Sequence, residues 1–126
     1  LKPTIETNAK VFNEEMAKAL SLYPEVSEKM LAGGAAVVEA QAKINHEPNI
    51  DTGFLFNSIQ TQKPEVKDDG SGSVDVTVGA EYAPHLEYGT VRSQAYPFLR
   101  PAVYDHEPRI IKVMAKIFAM EMIGRF

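Results

Sequence analysis

The stretch from Val78 to Ala102, V-G-A-E-Y-A-P-H-L-E-Y-G-T-V-R-S-Q-A-Y-P-F-L-R-P-A, is the part around which the chain is organised. It begins with the end of a strand at Val78-Gly79 and passes through a compact aromatic-acidic unit from Tyr82 to Thr90. It closes on Pro97-Phe98-Leu99-Arg100-Pro101-Ala102. A proline fixes its own φ and biases the residue before it away from the helical region, so two of them around Phe98-Leu99-Arg100 spell a loop whose shape matters. Within it Phe98 and Leu99 read as buried anchors, and Tyr88 to Tyr96 as exposed. The segment from Gly89 to Pro97 has no apolar periodicity, the mark of a loop that is either functional or mobile. Gly79 and Gly89 each end a regular stretch just before a change of direction. A side chain at either position is expected to spoil the backbone geometry.

Working outward, Val74, Val76 and Val78 alternate with Asp75 and Thr77, the period of a half-buried strand. Asn57 to Val66 reads as its partner, broken late by Pro64, which belongs at a sheet edge. The polar run Lys67-Asp-Asp-Gly-Ser-Gly72 supplies the turn between them. Before this hairpin the sequence predicts two helices. The first runs from Thr4 to Leu22, with Val11, Phe12, Met16, Ala19 and Leu20 at helical spacing, and Tyr23-Pro24 stops it. The second runs from Pro24 to about Asn45, with Val26, Met30, Val37 and Ile44 on one face. Gly33-Gly34 in its middle costs about 0.5 to 1 kcal/mol per glycine relative to alanine, which points to a bend or to a close backbone approach. The continuous small patch Ala32 to Ala36 favours close packing, and the sheet is the expected neighbour. Asp51 is placed to cap a short helical turn reaching Leu55. After Pro101 a last helix restarts near Asp105 with Pro108 in its first turn. Ile110, Ile111, Met114, Ile117, Phe118 and Met122 form its apolar stripe, and Arg109, Lys112 and Lys116 line another side. The expectation is one α+β domain over residues 1–126: two N-terminal helices, a short antiparallel sheet, a long loop, and a C-terminal helix packed on the sheet.

The chain has 126 residues, enough for one core. Its 44% apolar and 24% charged content is that of an ordinary globular protein. No run approaches the roughly 20 apolar residues of a membrane span, so no membrane partner is expected. There is no cysteine, which excludes disulfides and thiolate-zinc sites. The sequence shows no basic-apolar-small leader, and assembly in a cytoplasm is the expectation. Net charge is −4, unevenly placed. Residues 1–90 hold 7 Lys/Arg against 14 Asp/Glu, or −7, and residues 91–126 hold 6 against 3, or +3. Two readings stand: an accident of surface composition, or complementary faces that meet between copies.

One triplet is enzyme-like. Asp51-Thr52-Gly53 is the word used by aspartic proteases, in which two copies bring their aspartates together to share a proton. Its surroundings differ from such a site, because Pro48-Asn49 precedes it instead of an apolar strand and bulky Phe54 follows. A helix cap and a turn glycine account for all three residues. His46, His85 and His106 show no ligand-like spacing and no accompanying acidic cluster, so no metal is assigned. No nucleophile elbow of the G-x-S-x-G kind occurs. Neither catalytic residues nor a cofactor are expected.

The order of D-T-G-x-L-x-x-S-I, V-x-V-G, Y-A-x-x-x-E-x-G-T and P-F-L-R-P-A resembles the small tail-component family of lambdoid tailed phages, of the gene-product-ten or minor-tail-protein-Z type. The residues that carry the likeness are Asp51, Thr52, Gly53, Leu55, Ser58, Ile59, Val76, Val78, Gly79, Tyr82, Ala83, Glu87, Gly89, Thr90 and Pro97 to Ala102. Phe56 departs from the family where a basic residue is common, and His85-Leu86 replaces its usual aromatic-aliphatic pair. The resemblance implies a structural virion protein of the head-tail junction, a neck or tail-completion component that forms a homo-oligomeric ring and joins the tail to the head connector. It implies as partners further copies and head-connector and tail-tube proteins; the basic row Arg109, Lys112 and Lys116 reads either as a solvated helix face or as non-specific proximity to DNA in the ring lumen. A tail-terminator ring is the alternative within the same class, and a homodimeric protease the alternative outside it. Tyr, Arg and Phe are enriched at interface hot spots. The expected assembly surface is therefore Tyr82, Glu87, Tyr88, Gly89, Thr90, Arg92, Tyr96, Phe98 and Arg100, with Glu87 pairing with Arg92 or Arg100 of a neighbouring copy.

Overall fold

The valine alternation at 74, 76 and 78 becomes the central strand of a small antiparallel sheet. The computed structural model describes residues 4–7, 14–49 and 52–125. Its strands are β1 (Thr4–Thr7), β2 (Ile59–Thr61), β3 (Glu65–Val66) and β4 (Gly72–Val78). β4 pairs with β1 on one side and with β2 and then β3 on the other. Val74, Val76 and Val78 point into the core, while Ser73, Asp75 and Thr77 are half-buried on the opposite face. Pro64 falls in a bulge. Ile59 to Thr61 pair with Val78 to Val76, and Glu65 and Val66 pair with Ser73 and Gly72. Three residues, Gln62 to Pro64, therefore stand opposite two, Val74 and Asp75. A bulge is where a residue without an N–H donor can be tolerated.

The helices are α1 (Glu14–Leu22), α2 (Pro24–His46), α3 (Phe54–Ser58), α4 (Ala83–Tyr88), α5 (Leu99–Tyr104) and α6 (Glu107–Ile123). The Tyr23-Pro24 break stands as expected, with Pro24 in the first turn of α2 and Glu25 beside it. α2 is the spine. One flank lies against the sheet, where Leu31 approaches Gly72, and another takes α6. Met30, Leu31, Ala35, Val38 and Ala42 are fully buried between these neighbours.

Three expectations are corrected. Residues 4–7 are a strand, and the first helix is described over Glu14–Leu22; Val11 and Phe12 lie outside the described residues. Thr4-Ile-Glu-Thr7 is rich in β-branched residues, and the open side of β4 gives it a partner. The C-terminal helix packs mainly along α2, one layer removed from the sheet. The glycine pair accordingly faces α6. A Cβ on Gly33 would collide with Ile117, and one on Gly34 would lie 3.0 Å from Met114 Sδ and 3.3 Å from Ile110 Cγ2. The small patch is the groove in which α6 lies.

α2 and α6 run antiparallel, and ion pairs tie the end of α6 to the start of α2. Lys29 Nζ is 3.0 Å from Glu121, and Arg125 is 3.3 Å from Glu25 while its guanidinium lies over the Tyr23 ring. Exposed pairs contribute only about 0 to 1 kcal/mol each, so the apolar seam carries the packing. They also engage part of the acidic-basic asymmetry within one chain.

Candidate functional site

The long loop is fastened at several points. Where β4 ends, Gly79 N–H donates to Ser58 O at 3.2 Å and Ala80 N–H to Ser58 Oγ at 3.2 Å. Ser58 Oγ in turn donates to Leu55 O at 2.7 Å, which locks the end of α3 to the strand exit. α4 follows, with Pro84 in its first turn. Ala83 and Glu87 are four residues apart and both point inward, while Tyr82, His85 and Tyr88 are exposed. Gly89 then takes φ 77° and ψ 175°, with Ala95 N only 2.9 Å from where a Cβ would sit.

Beyond Gly89 the chain makes a bridged turn. Thr90 N–H donates to Ser93 O at 2.9 Å, and Ser93 N–H returns to Thr90 O at 3.3 Å. Val91 and Arg92 form its tip, and Val91 is 104% exposed. Tyr96 N–H closes the loop onto Leu86 O at 2.8 Å. The chain then turns inward at Phe98, which packs 5.3 Å from the His46 ring and whose carbonyl accepts from Asn45 Nδ2 at 3.1 Å.

The centre of this arrangement is Glu87, which is completely buried. Its Oε2 accepts Phe98 N–H at 2.9 Å, and its Oε1 accepts Leu99 N–H and Arg100 N–H, each at 2.9 Å. These are the free donors at the start of α5, which have no carbonyl one turn earlier to bond. A carboxylate in this place also meets the positive end of the peptide dipoles. Glu87 is therefore an internal brace, and its expected pairing with Arg92 or Arg100 of another copy is corrected by its burial. Arg100 is occupied differently, its guanidinium 4.5 Å above the Tyr88 ring.

The loop thus separates two kinds of residue. Phe98, Leu99 and Glu87 face the core, while Gly89 is half-buried against the backbone of Ser93 and Ala95. Tyr82, Tyr88, Thr90, Arg92, Tyr96 and Arg100 are exposed and share one loop system. Sequence reasoning missed two members, the Val91 tip and the His46 support under Phe98. A hydrophobic residue centred in the Thr90-to-Ser93 turn was the available sign for the first.

His46 Nδ1 is buried without a hydrogen-bond partner, and burial lowers the pKa of the ring from its usual 6.5. Below about pH 6.5 the unfolded chain takes up a proton that the folded chain resists. This contribution is complete above the unfolded value and is lost as pH falls toward the lowered folded value. The melting temperature is expected to fall as pH drops below about 6.5, and His46→Gln to flatten that slope while lowering the neutral-pH value. Equal slopes in the two proteins would remove His46 as the cause.

Among the described residues no group of three or more His, Asp or Glu is arranged to hold a metal ion, and no helix is long and apolar enough to cross a membrane. Asp51 lies outside the described residues, so the expected cap is not seen. Its neighbours serve a helical turn: Thr52 Oγ1 accepts Phe54 N–H at 3.3 Å, and Gly53 has φ 82° at the start of α3.

Fold and loop together define a small α+β protein that displays aromatic and basic side chains on a braced loop. A family profile described as "Bacteriophage HK97-gp10, putative tail-component" matches residues 8–89, more than half of the chain. The chain belongs to this HK97-gp10-like family of phage tail components. The matched span contains the D-T-G, V-x-V-G and Y-A-x-x-x-E-x-G words, and the Pro97 to Ala102 segment lies beyond it. No curated protein and no solved structure matches the chain at a significant level.

Proposed function

We propose that this tail component works at the head-tail junction, as a neck or tail-completion part that assembles into a ring and joins the tail to the head connector. The observation that carries the reading is the loop system from Tyr88 to Arg100, whose inward end at Phe98, Leu99 and Arg100 is held from within by Glu87 and which leaves Tyr88, Arg92, Tyr96 and Arg100 exposed. A braced loop loses little conformational freedom on docking, and preorganisation of this kind favours binding. Its partners on this reading are further copies, the head-connector and tail-tube proteins. The exposed row Arg109, Lys112 and Lys116 on α6 suits non-specific proximity to DNA in the lumen. The role is structural, in the virion, with no catalytic step and no cofactor, and assembly takes place in the host cytoplasm.

The test is the double substitution Tyr88→Ala with Tyr96→Ala. Aromatic hot spots carry about 2 kcal/mol or more each, so complete tailed particles should fall at least tenfold. Circular dichroism and sedimentation should show a folded protein, since both rings are exposed. Normal particle counts from the folded variant would refute the loop as the joining surface.

A further inference from the structure

We propose that copies join head to tail through Val91 of one copy, seated in the depression formed by Pro97, Pro101 and Tyr104 of the next, with Arg92 paired to Asp105 across the contact. The proposal rests on the ring reading above and gives that ring its contact. Single exposed apolar residues are common on protein surfaces. Val91 differs in where it is held: it is fully exposed at the tip of a turn whose two sides are hydrogen-bonded to each other. Its position is set before any partner arrives.

The receiving surface lies at the other end of the same loop. Pro97, Arg100, Pro101, Tyr104 and Asp105 line an open depression of about 240 Å³. Two proline rings and a tyrosine make its walls apolar and stiff, and Tyr104 is 69% exposed. The charges complement each other. Arg92 follows the tip, Asp105 lines the depression, and neither has an ion-pair partner among the described residues. Arg100, the other charge in the depression, is held over Tyr88. Tip and depression are different surfaces of one chain, so the contact is heterologous, and repetition through a rotation that closes gives a ring.

The native chain contains no cysteine, which makes cross-linking clean. Val91→Cys and Tyr104→Cys in one chain, incorporated into phage particles and oxidised, should give a ladder of covalent multimers. Each single substitution should give no species beyond a dimer. Particles that hold several copies but yield only monomer on oxidation overturn the contact and leave the ring reading standing. Particles that hold one copy each overturn both. As an independent arm, Arg92→Asp or Asp105→Arg alone should reduce incorporation at least about tenfold, and the two together should restore it, since like charges across an interface are strongly unfavourable. Normal incorporation of both single variants overturns the contact.

Discussion

Replacing Glu87 with alanine is expected to destabilise the protein by about 3 kcal/mol or more and to release the loop from its base. The carboxylate accepts from Phe98, Leu99 and Arg100 at 2.9 Å, and the first two of these residues are completely buried. Alanine leaves their N–H groups without partners in a place water does not reach, and each buried orphan costs about 1 to 3 kcal/mol. For a chain of this length the melting temperature should drop by about 10 °C or more. Glu87→Gln should lose less. Its carbonyl oxygen can still receive Leu99 and Arg100, while its amide nitrogen meets the Phe98 N–H donor to donor. Thermal melts of the three proteins test the ranking. Alanine melting with the unsubstituted protein would mean that the start of α5 holds without the brace.

The second large effect is expected at Gly89. Its φ of 77° with ψ of 175° lies in a region essentially reserved for glycine, where another residue costs about 1 to 3 kcal/mol. A Cβ would also lie 2.9 Å from Ala95 N, a backbone atom that cannot swing aside as a side chain can. Gly89→Ala should therefore lower the melting temperature and expose the segment that follows to protease. Gly79 is the control and corrects an expectation. It is exposed, has no positive φ, and a Cβ there would meet only Ser58 Cβ at an ordinary 3.5 Å. Gly79→Ala should be nearly neutral. Similar melting temperatures for the two variants would remove backbone conformation as the reason for Gly89.

The parts of the fold that were legible in the sequence are those set by short-range rules. The alternation at Val74, Val76 and Val78, the polar turn from Lys67 and the stop at Tyr23-Pro24 each act within a few residues. Thr4 to Thr7 was not legible, because a four-residue strand shows too little period and its pairing partner is Gly72 to Asp75, far along the chain. The stripe on α6 shows that a face is buried but not against what, and Gly33-Gly34 leaves the same question open. In the loop, Phe98 and Leu99 separate from Tyr88 and Tyr96 by proline bracketing and residue type. Glu87 does not separate, since its partners are backbone N–H groups that leave no side-chain signature. Its spacing of four from Ala83 on one helical face was the sign that it points inward.

The bulge at Pro64 bears on how many copies can crowd together safely. A long straight strand at the rim of a sheet invites a strand from another molecule to add to it. Here that rim is interrupted twice, by a residue with no N–H and by a shift of register between β2 and β3. A second chain laid along it finds no continuous row of donors and acceptors. On that side, runaway strand addition is disfavoured even where many copies crowd together.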